Sequence, residues 1–385
     1  MYFFICSLFI FIAFIFFRCR ATSLISTVLL PFIVLNVYFD GEDWVNYFDS
    51  FEEGRGGTSP EIFFYTVLSF LKFITSGSYQ YSIFLFFCFV FIAFYNLFHN
   101  KKHVFFYSLN SYYLLFLSLF VFSLGATLIM EQLRQLLALV LFMYAFSFFS
   151  NKSSLMGVVY MLLSALSHVS VVFLFAFVFL CALRINKLKF VILVSLLCSL
   201  IVTLCLSPIW GAINIGVISF LYDKVLRYLS VSVMGFGILH LFSLIYVLFY
   251  IIMYNELSHS EWKVGDRFRL ILARLAFSGC ALYLCSSILP FLNRFSSYFI
   301  VIYILNVMIC LPVFRVNMRF LNVVIIVVIC MSTGVSYYRN PFAPLPFIGE
   351  EWSISKIIFD EYDVVGRYNE IKSFQLEKMQ QYGYE

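Results

Sequence analysis

The sequence predicts an all-α polytopic membrane protein, and its composition and the length of its apolar runs are the observations behind that prediction. Of its 385 residues, 63% are hydrophobic and 12% are charged, which leaves too little polar surface to cover a soluble core. Many apolar runs reach roughly 20 residues, the length that crosses the hydrocarbon core of a bilayer. The net charge of +5 lies mostly in loops, so it bears on membrane topology and gives no reason to expect nucleic acid as a partner.

Ten apolar runs are long enough to be transmembrane helices. They cover residues 2–17, 21–39, 80–98, 104–123, 127–149, 190–206, 236–254, 269–289, 295–313 and 320–337. Residues 153–183 are too long for one span, but Ser167 and His168 at their middle would divide them into two short helices. Residues 60–74 are short and could form a span, a re-entrant segment or an interfacial helix.

Lysine and arginine predict which loops face the cytoplasm, because cytoplasmic loops carry an excess of these residues. Placing the basic loops inside requires that residues 60–74 do not fully cross and that residues 153–183 cross twice. The result is about twelve spans with both termini outside, and the first apolar run is a transmembrane helix and not a cleaved signal peptide. The basic residues behind this assignment are Arg18, Arg20, Lys101, Lys102, Lys152, Arg184, Lys187, Lys189, Arg315 and Arg319.

The chain shows no internal repeat or linker, so we expect one transmembrane domain over residues 1–337. External loops are predicted at about residues 40–60 and 207–235, followed by an external tail over residues 338–385. From residue 354 the tail alternates apolar and charged residues, which predicts an amphipathic helix on the membrane surface. The ten cysteines are scattered among apolar residues and indicate neither a disulfide framework nor a metal site.

Charged residues at the ends of apolar runs mark a candidate site, because an ionised side chain in hydrocarbon is costly without a partner or water. Glu131 and Arg134 open one apolar helix, and His168 lies at the middle of the run that follows. The planar guanidinium fork suits phosphate oxygens, so Arg134 and Arg294 are the first candidates to bind an anion. Arg134 could instead pair with Glu131 on the same helix face, Arg294 could be an interfacial anchor, and His168 could bond to a backbone carbonyl.

The acidic first loop carries further candidates. Asp40 and Asp43 could supply a general base or bind sugar hydroxyls, with Trp44 and Tyr47 as stacking platforms, or the loop could simply be solvated. Another charged group could hold phosphate or lipid headgroups, or form an interfacial helix. It consists of Asp223, Lys224 and Arg227. No GxSxG, HExxH, P-loop or GxGxxG motif occurs in a convincing context, which argues against an intramembrane serine protease, a zincin or an ATPase.

The segments QLRQLLALVLFMYA and NKSSLMGVVYMLLSALSHVSVVFLF resemble the EpsG-like, Wzy-type polymerases of bacterial surface polysaccharides. The family pattern has an Arg-Gln pair that opens an alanine-containing helix, here Arg134 and Gln135, and a short basic break. After the next helix it has a His-Ser element, here His168 with Ser170 one residue late.

Other parts of the chain extend the resemblance. LNRFSSYF, around Arg294 and Tyr298, resembles a late Arg-x-x-x-Tyr element, and RNPFAPLPF resembles a proline-containing external tail. The acidic, aromatic first loop is similar to one that leads into a Glu-Pro-Gly helix start. Here Pro60 and Glu61 stand in the reverse order and the glycine is missing, so Glu61 departs from the family pattern.

The resemblance implies a GT-C-like architecture and a metal-independent glycosyltransferase without cofactors. Its substrates would be oligosaccharide repeat units linked to undecaprenyl pyrophosphate, polymerised into O-antigen, capsule or exopolysaccharide on the periplasmic face of the bacterial cytoplasmic (inner) membrane. Membrane lipids would be its partners, and the resemblance further implies a chain-length regulator and a flippase. A lipid-linked oligosaccharide flippase or transporter and an O-antigen ligase are the alternative functions.

Within this scheme the candidate residues fall into two groups. Those that would bind substrate pyrophosphate are Arg134, Gln135, Arg294, Tyr298, Arg227 and Lys224. Those that would serve catalysis are His168, Asp40, Asp43 and Glu131.

Overall fold

The chain is helical throughout the part that the structure, a computed structural model, describes. The described residues are 2–17, 19–39, 44–53, 61–124, 128–129, 132–151, 153–183, 185–206, 238–257, 264–289, 292–310 and 363–381. No strand occurs among them, which confirms the all-α prediction for this part of the chain. The chain forms two compact units: Met1–Val171 with Thr333–Glu385 is unit 1, and Val172–Ser332 is unit 2.

Fifteen α-helices, numbered here in chain order, are described. They are α1 (Tyr2–Phe16), α2 (Arg20–Tyr38), α3 (Trp44–Glu53), α4 (Ile62–Ile74), α5 (Tyr79–His99), α6 (Val104–Tyr107), α7 (Tyr113–Leu124), α8 (Leu133–Ser150), α9 (Ser154–Ser167), α10 (Ser170–Ala182), α11 (Lys187–Leu206), α12 (Ile238–Leu257), α13 (Val264–Cys285), α14 (Asn293–Cys310) and α15 (Val364–Gln381).

In unit 1, α2 and α5 pack side by side in opposite directions. The Tyr38 hydroxyl at the end of α2 lies 2.9 Å from the Tyr79 hydroxyl at the start of α5. At the other end, Arg20 Nε donates to the Tyr95 hydroxyl at 3.2 Å. The 21 residues of α5 extend about 31 Å, which matches the hydrocarbon thickness of a bilayer.

Among the described helices, α5 and α8 are each both long and apolar enough to cross a membrane. Shorter apolar helices accompany them, including α4 and α9. These helices do not decide the number of membrane crossings, so the topology of about twelve spans stays a prediction, and residues 320–337 lie outside the described residues.

The structure resolves one ambiguity of the apolar pattern and corrects another assignment. The run 153–183 is divided as predicted, because α9 ends at Ser167 and α10 begins at Ser170. The prediction of one helix over residues 104–123 is wrong, because a break and a short 3₁₀ turn, Asn110–Tyr112, separate α6 from α7. The Ser108 hydroxyl donates to the Phe105 carbonyl at 2.6 Å, so a local side-chain bond competes with the helical pattern there.

In unit 2, α13 packs against α11, α12 and α14. Arg274 of α13 is buried and donates to the carbonyls of Leu183 and Ile185 at 2.8 and 2.6 Å, so it caps the backbone that follows α10. Gly279 lets α13 approach α14 closely, since a Cβ at this position would overlap the side chain of Phe299.

Candidate functional site

Three helix ends of unit 1 bring a carboxylate, a guanidinium and an imidazole together. Glu61 is the N-cap residue just before α4, Arg134 lies in the first turn of α8, and His168 is the C-cap residue just after α9. The Ser164 hydroxyl of α9 donates to the Ala138 carbonyl of α8 at 2.6 Å, which fixes the two longer helices against each other. We call Glu61, Arg134 and His168 the charged cluster.

Glu61 and Arg134 form an ion pair in an apolar surrounding. Arg134 Nη1 donates to Glu61 Oε2. The Glu61 side chain is buried, whereas 32% of the Arg134 side-chain surface is exposed. Glu61 makes no capping hydrogen bond to its own helix, so its carboxylate serves the pair and not the α4 terminus. A cation in the first turn of α8 opposes the helix dipole, and the carboxylate offsets that cost.

Arg134 retains hydrogen-bonding capacity beyond this pair. Within the part of the chain that the structure describes, its buried Nε has no hydrogen-bond acceptor. Buried donors in native proteins nearly always have partners, so an unpaired one in a partly open side chain points to a ligand. The Nε of Arg274 in unit 2 is also without an acceptor among the described residues, but Arg274 is buried and its Nη atoms donate to three backbone carbonyls, whereas Arg134 is partly exposed.

The neighbours of His168 determine which of its ring nitrogens carries the proton. The backbone N–H of Ser170 lies 3.1 Å from Nδ1, and the Ser170 hydroxyl lies 2.8 Å from the same nitrogen. An amide N–H only donates, so Nδ1 accepts and the neutral ring carries its proton on Nε2. Glu61 Oε1 lies 3.7 Å from Nδ1 as well.

This arrangement is not a serine–histidine–acid triad. In a triad the serine and the carboxylate occupy opposite ring nitrogens, so that a proton passes from the serine to the nitrogen facing it. Here both Ser170 and Glu61 face Nδ1. The geometry therefore makes His168 a hydrogen-bond donor through Nε2 and gives no support for Ser170 as a nucleophile.

Helix α3 adds an aromatic side to the charged cluster. The ring of Tyr47 lies 5.5 Å from the guanidinium carbon of Arg134 and 5.5 Å from the ring of Phe64. Trp44 is fully buried, and its Nε1 donates to the Phe39 carbonyl at 3.1 Å. The prediction that Trp44 and Tyr47 are open stacking platforms for sugars is therefore wrong, because both side chains are buried in the packing of α3.

The charged cluster and a basic loop lie at opposite ends of α8. At the far end of this helix, the Ser147 hydroxyl lies 2.9 Å from His103 Nδ1, and Asn151 donates to the Lys102 carbonyl. The helix places about 25 Å between Arg134 and this end. Lys101 and Lys102, which the sequence assigns to the cytoplasm, are thus separated from Arg134 by about the thickness of a membrane.

The structure brings only some of the predicted site residues together. Arg134 and His168 meet at Glu61, and Gln135 is buried beside them on α8. Arg294 and Tyr298 belong to α14 in unit 2, where Tyr298 is buried and the side chain of Arg294 is outside what the structure describes. Five predicted residues lie outside the described residues: Asp40, Asp43, Glu131, Lys224 and Arg227.

Glu61 is the member of the charged cluster that the sequence analysis did not select. Its reversed order with Pro60 departs from the family pattern, so the resemblance gave it no role. The signal that could have found it is the carboxylate itself, since an acidic residue opening an apolar helix needs a partner as much as Arg134 does.

A comparison with known proteins identifies the family of this chain. The model of the EpsG family matches residues 20–347. The chain belongs to the EpsG family. No curated protein and no solved structure gives a significant match. Membership in the EpsG family confirms the resemblance drawn from the Arg-Gln and His-Ser elements, and it suggests a role of the polysaccharide polymerase type for this membrane protein.

Proposed function

We propose that this EpsG-family protein is a Wzy-type glycosyltransferase that polymerises oligosaccharide repeat units linked to undecaprenyl pyrophosphate. It acts on the outer face of the bacterial cytoplasmic membrane, and its product is a surface polysaccharide. The observation that carries the proposal is the charged cluster, in which Arg134 keeps donor capacity and exposure inside an apolar helical unit. Membership in the EpsG family gives the reaction class.

The proposed reaction moves the growing glycan from its lipid carrier to the next lipid-linked unit. A hydroxyl at the non-reducing end of the acceptor attacks the anomeric carbon of the donor sugar. The new glycosidic C–O bond forms while the C–O bond to the pyrophosphate breaks, and undecaprenyl pyrophosphate leaves with the bonding electrons. The hydroxyl proton passes to a base. The protein therefore has to stabilise charge on the leaving group and accept one proton.

Arg134 is proposed to bind the leaving pyrophosphate. Its guanidinium fork matches phosphate oxygens, and it lies in the first turn of α8, where the helix dipole and free backbone N–H groups also favour an anion. Glu61 cancels the charge of Arg134, so the pair provides directed donors without a net positive charge. A pyrophosphate carries more than one negative charge, so the proposal requires a second cation.

On the sequence resemblance alone, Arg294 is proposed as a further pyrophosphate-binding cation. It is the second residue of α14, as Arg134 is the second residue of α8, so both arginines stand at helix N-termini. The same resemblance proposes Gln135, Tyr298, Lys224 and Arg227 as pyrophosphate-binding residues. His168 is proposed to donate from Nε2 to an oxygen of the leaving group, since its Nδ1 is held by Ser170. The general base is proposed to be Asp40, Asp43 or Glu131.

A bacterial host that lacks its own polymerase but makes the lipid-linked repeat unit tests the proposal. The wild-type gene should give a ladder of chain lengths on a polysaccharide gel. The Arg134→Ala and His168→Ala variants should reduce polymers of two or more units by at least about a hundredfold, the loss typical when a charge-stabilising donor is removed. Arg20→Ala is the matched control. Arg20 also lies in the first turn of a helix of unit 1, but it donates to Tyr95 near the end of α5, away from the charged cluster.

The outcomes separate the enzyme class from the residue roles. A wild-type gene that yields only single capped units would contradict the polymerase proposal itself. A full ladder from a well-expressed Arg134→Ala variant would leave the enzyme class standing and refute the assignment of the charged cluster. Loss of the ladder in the Arg20→Ala control as well would show that any arginine removal is harmful, and would also refute the assignment.

A further inference from the structure

The carboxy-terminal helix α15 packs on α3, the helix that contributes Tyr47 to the site. The Tyr368 ring lies 5.1 Å from the ring of Phe48 and 6.3 Å from that of Trp44. Ile371, one helical turn further along α15, is buried. The apolar contact is thus made by one face of α15, at the i and i+3 spacing of an α-helix.

Hydrogen bonds between polar side chains of α3 and α15 add to the same contact. The Tyr368 hydroxyl donates to Asp49 Oδ1, and Lys372 Nζ donates to the Tyr368 hydroxyl. Lys372 Nζ also lies 3.4 Å from Asp49 Oδ2 and 4.7 Å from the centre of the Tyr368 ring. Partial burial, together with the Asp49 carboxylate, raises the pKa of Tyr368, so its phenol stays protonated and donates.

The aromatic contact should outweigh the ion pair. The side chains of Lys372 and Asp49 are 47% and 41% exposed, and exposed ion pairs contribute little because water screens them. The Tyr368 ring meets a fully buried tryptophan, so its removal opens a gap in packed aromatic side chains. Tyr368, and not Lys372, is the residue on which the contact depends.

A neighbouring face of α3 contacts the site. Tyr47 contacts Arg134 and Phe64, whereas Phe48 and Asp49 contact α15. Lys72 of α4 donates to the Phe51 carbonyl at the end of α3. Helix α3 therefore contacts both the carboxy-terminal helix and α4 with Arg134.

We propose that α15 is a positioning element for the site: Tyr368 holds α3 in place, and through Tyr47 it keeps the guanidinium of Arg134 aligned. The proposal rests on the function proposed above, because it assigns a consequence for that reaction. Tyr368 itself touches neither Arg134 nor the reacting atoms, so its effect is indirect. Small misplacements of a charge-stabilising group cost large factors in rate, which makes the effect measurable.

Thiol reactivity tests the packing without any reference to activity. Val45 of α3 is buried, so a Val45→Cys variant in a background without native cysteines should react slowly with a maleimide in membranes. Adding Tyr368→Ala should raise this rate at least about tenfold, because α3 loses its cover. Adding Tyr368→Phe should leave the rate unchanged, because the ring remains.

Polymerisation of lipid-linked repeat units by the full-length variants tests the consequence. Tyr368→Ala should lower kcat about tenfold and change KM less, because the alignment of Arg134 matters most when charge develops on the leaving group. Tyr368→Phe should restore kcat. Phe48→Leu removes the ring on the α3 side and replaces Tyr368→Ala if that variant does not accumulate, with the same expected loss of kcat.

Each outcome bears on one proposal. Faster thiol modification with an unchanged kcat would overturn the positioning role and leave the polymerase function intact. An unchanged rate of thiol modification in the Tyr368→Ala variant would overturn the packing role of α15. A wild-type protein that packs α15 on α3 but forms no polymer would contradict the proposed function, and the positioning role with it.

Discussion

At the scale of single residues, Ser170 fixes the chemistry that His168 can perform. Its backbone N–H and its hydroxyl both face Nδ1, so the imidazole is presented as an Nε2–H donor. The backbone contact is independent of the side chain of residue 170. The two contributions can therefore be removed one at a time.

We expect Ser170→Ala to slow polymerisation about fivefold, since it removes one hydrogen bond worth about 1 kcal/mol. Ser170→Pro also removes the N–H and should slow the reaction about tenfold further. Ser170 is the first residue of α10, where proline is tolerated, so the fold should survive the change. The ¹⁵N chemical shifts of His168 should report Nε2–H in the wild type and a mixture of tautomers in Ser170→Pro. An unaltered tautomer and rate in Ser170→Pro would contradict the role of the amide.

The sequence was sufficient to select Arg134 and His168 but not Glu61. Arginine and histidine at the ends of apolar runs are unusual enough to be noticed, and both fit a family element. Glu61 stands 73 positions before Arg134 in the chain, and only the packing of α4 against α8 and α9 reveals the pair. Contacts over such separations depend on tertiary structure, which a pattern of residues along the chain does not contain.

At the scale of helices, α4 illustrates why residues 60–74 were ambiguous. Its early residue Phe64 contacts Tyr47 of α3, and its late residue Lys72 lies 4.6 Å from the ring of Phe51, also in α3. Both parts of α4 thus contact the same helix of 10 residues, about 15 Å long. Contact with α3 does not orient α4 in a bilayer, so the non-crossing of residues 60–74 stays a prediction.

Cysteine labelling checks this arrangement. If α4 does not cross and α5 does, residues 50 and 102 lie on opposite sides of the membrane, because only one crossing separates them. An impermeant maleimide should therefore label the Ser50→Cys variant in intact cells, and Lys102→Cys only after the cells are permeabilised. Labelling of both variants from one side would refute the non-crossing arrangement. Replacement of the native cysteines removes background labelling.

Other elements show where the apolar pattern succeeds and fails. The predicted runs 80–98 and 190–206 differ from α5 and α11 by a few residues at most. An uninterrupted apolar run contains no polar residue that would break the helix. The break between α6 and α7 was missed because SLNSYY contains polar side chains that can bond locally, and composition does not say whether they do.

At the scale of the whole molecule, charge is separated along unit 1. The charged cluster and α15 lie near one end of α8, and Lys101 and Lys102 lie near the other. Which of these two ends faces the cytoplasm stays a prediction from the basic loops. If the basic loops are cytoplasmic, the charged cluster lies at the outer end of α8. A lipid-linked substrate in the outer leaflet would present its pyrophosphate there.

We propose that Arg134 acts on substrate and does more than neutralise Glu61. The single variant Arg134→Gln removes one partner of a buried ion pair, which costs about 3–5 kcal/mol, so it lowers stability as well as activity. The double variant Glu61→Gln/Arg134→Gln removes both charges while nearly keeping side-chain size, so the fold should be retained. If the ion pair were only structural, the double variant would recover what the single one lost.

The most direct measurement is therefore the chain-length ladder made by the Glu61→Gln/Arg134→Gln variant in the polymerase-deficient host, at a membrane level equal to that of the wild type. We predict a stably inserted protein that makes no polymer. A full ladder from the double variant would contradict the proposed action of Arg134 on substrate.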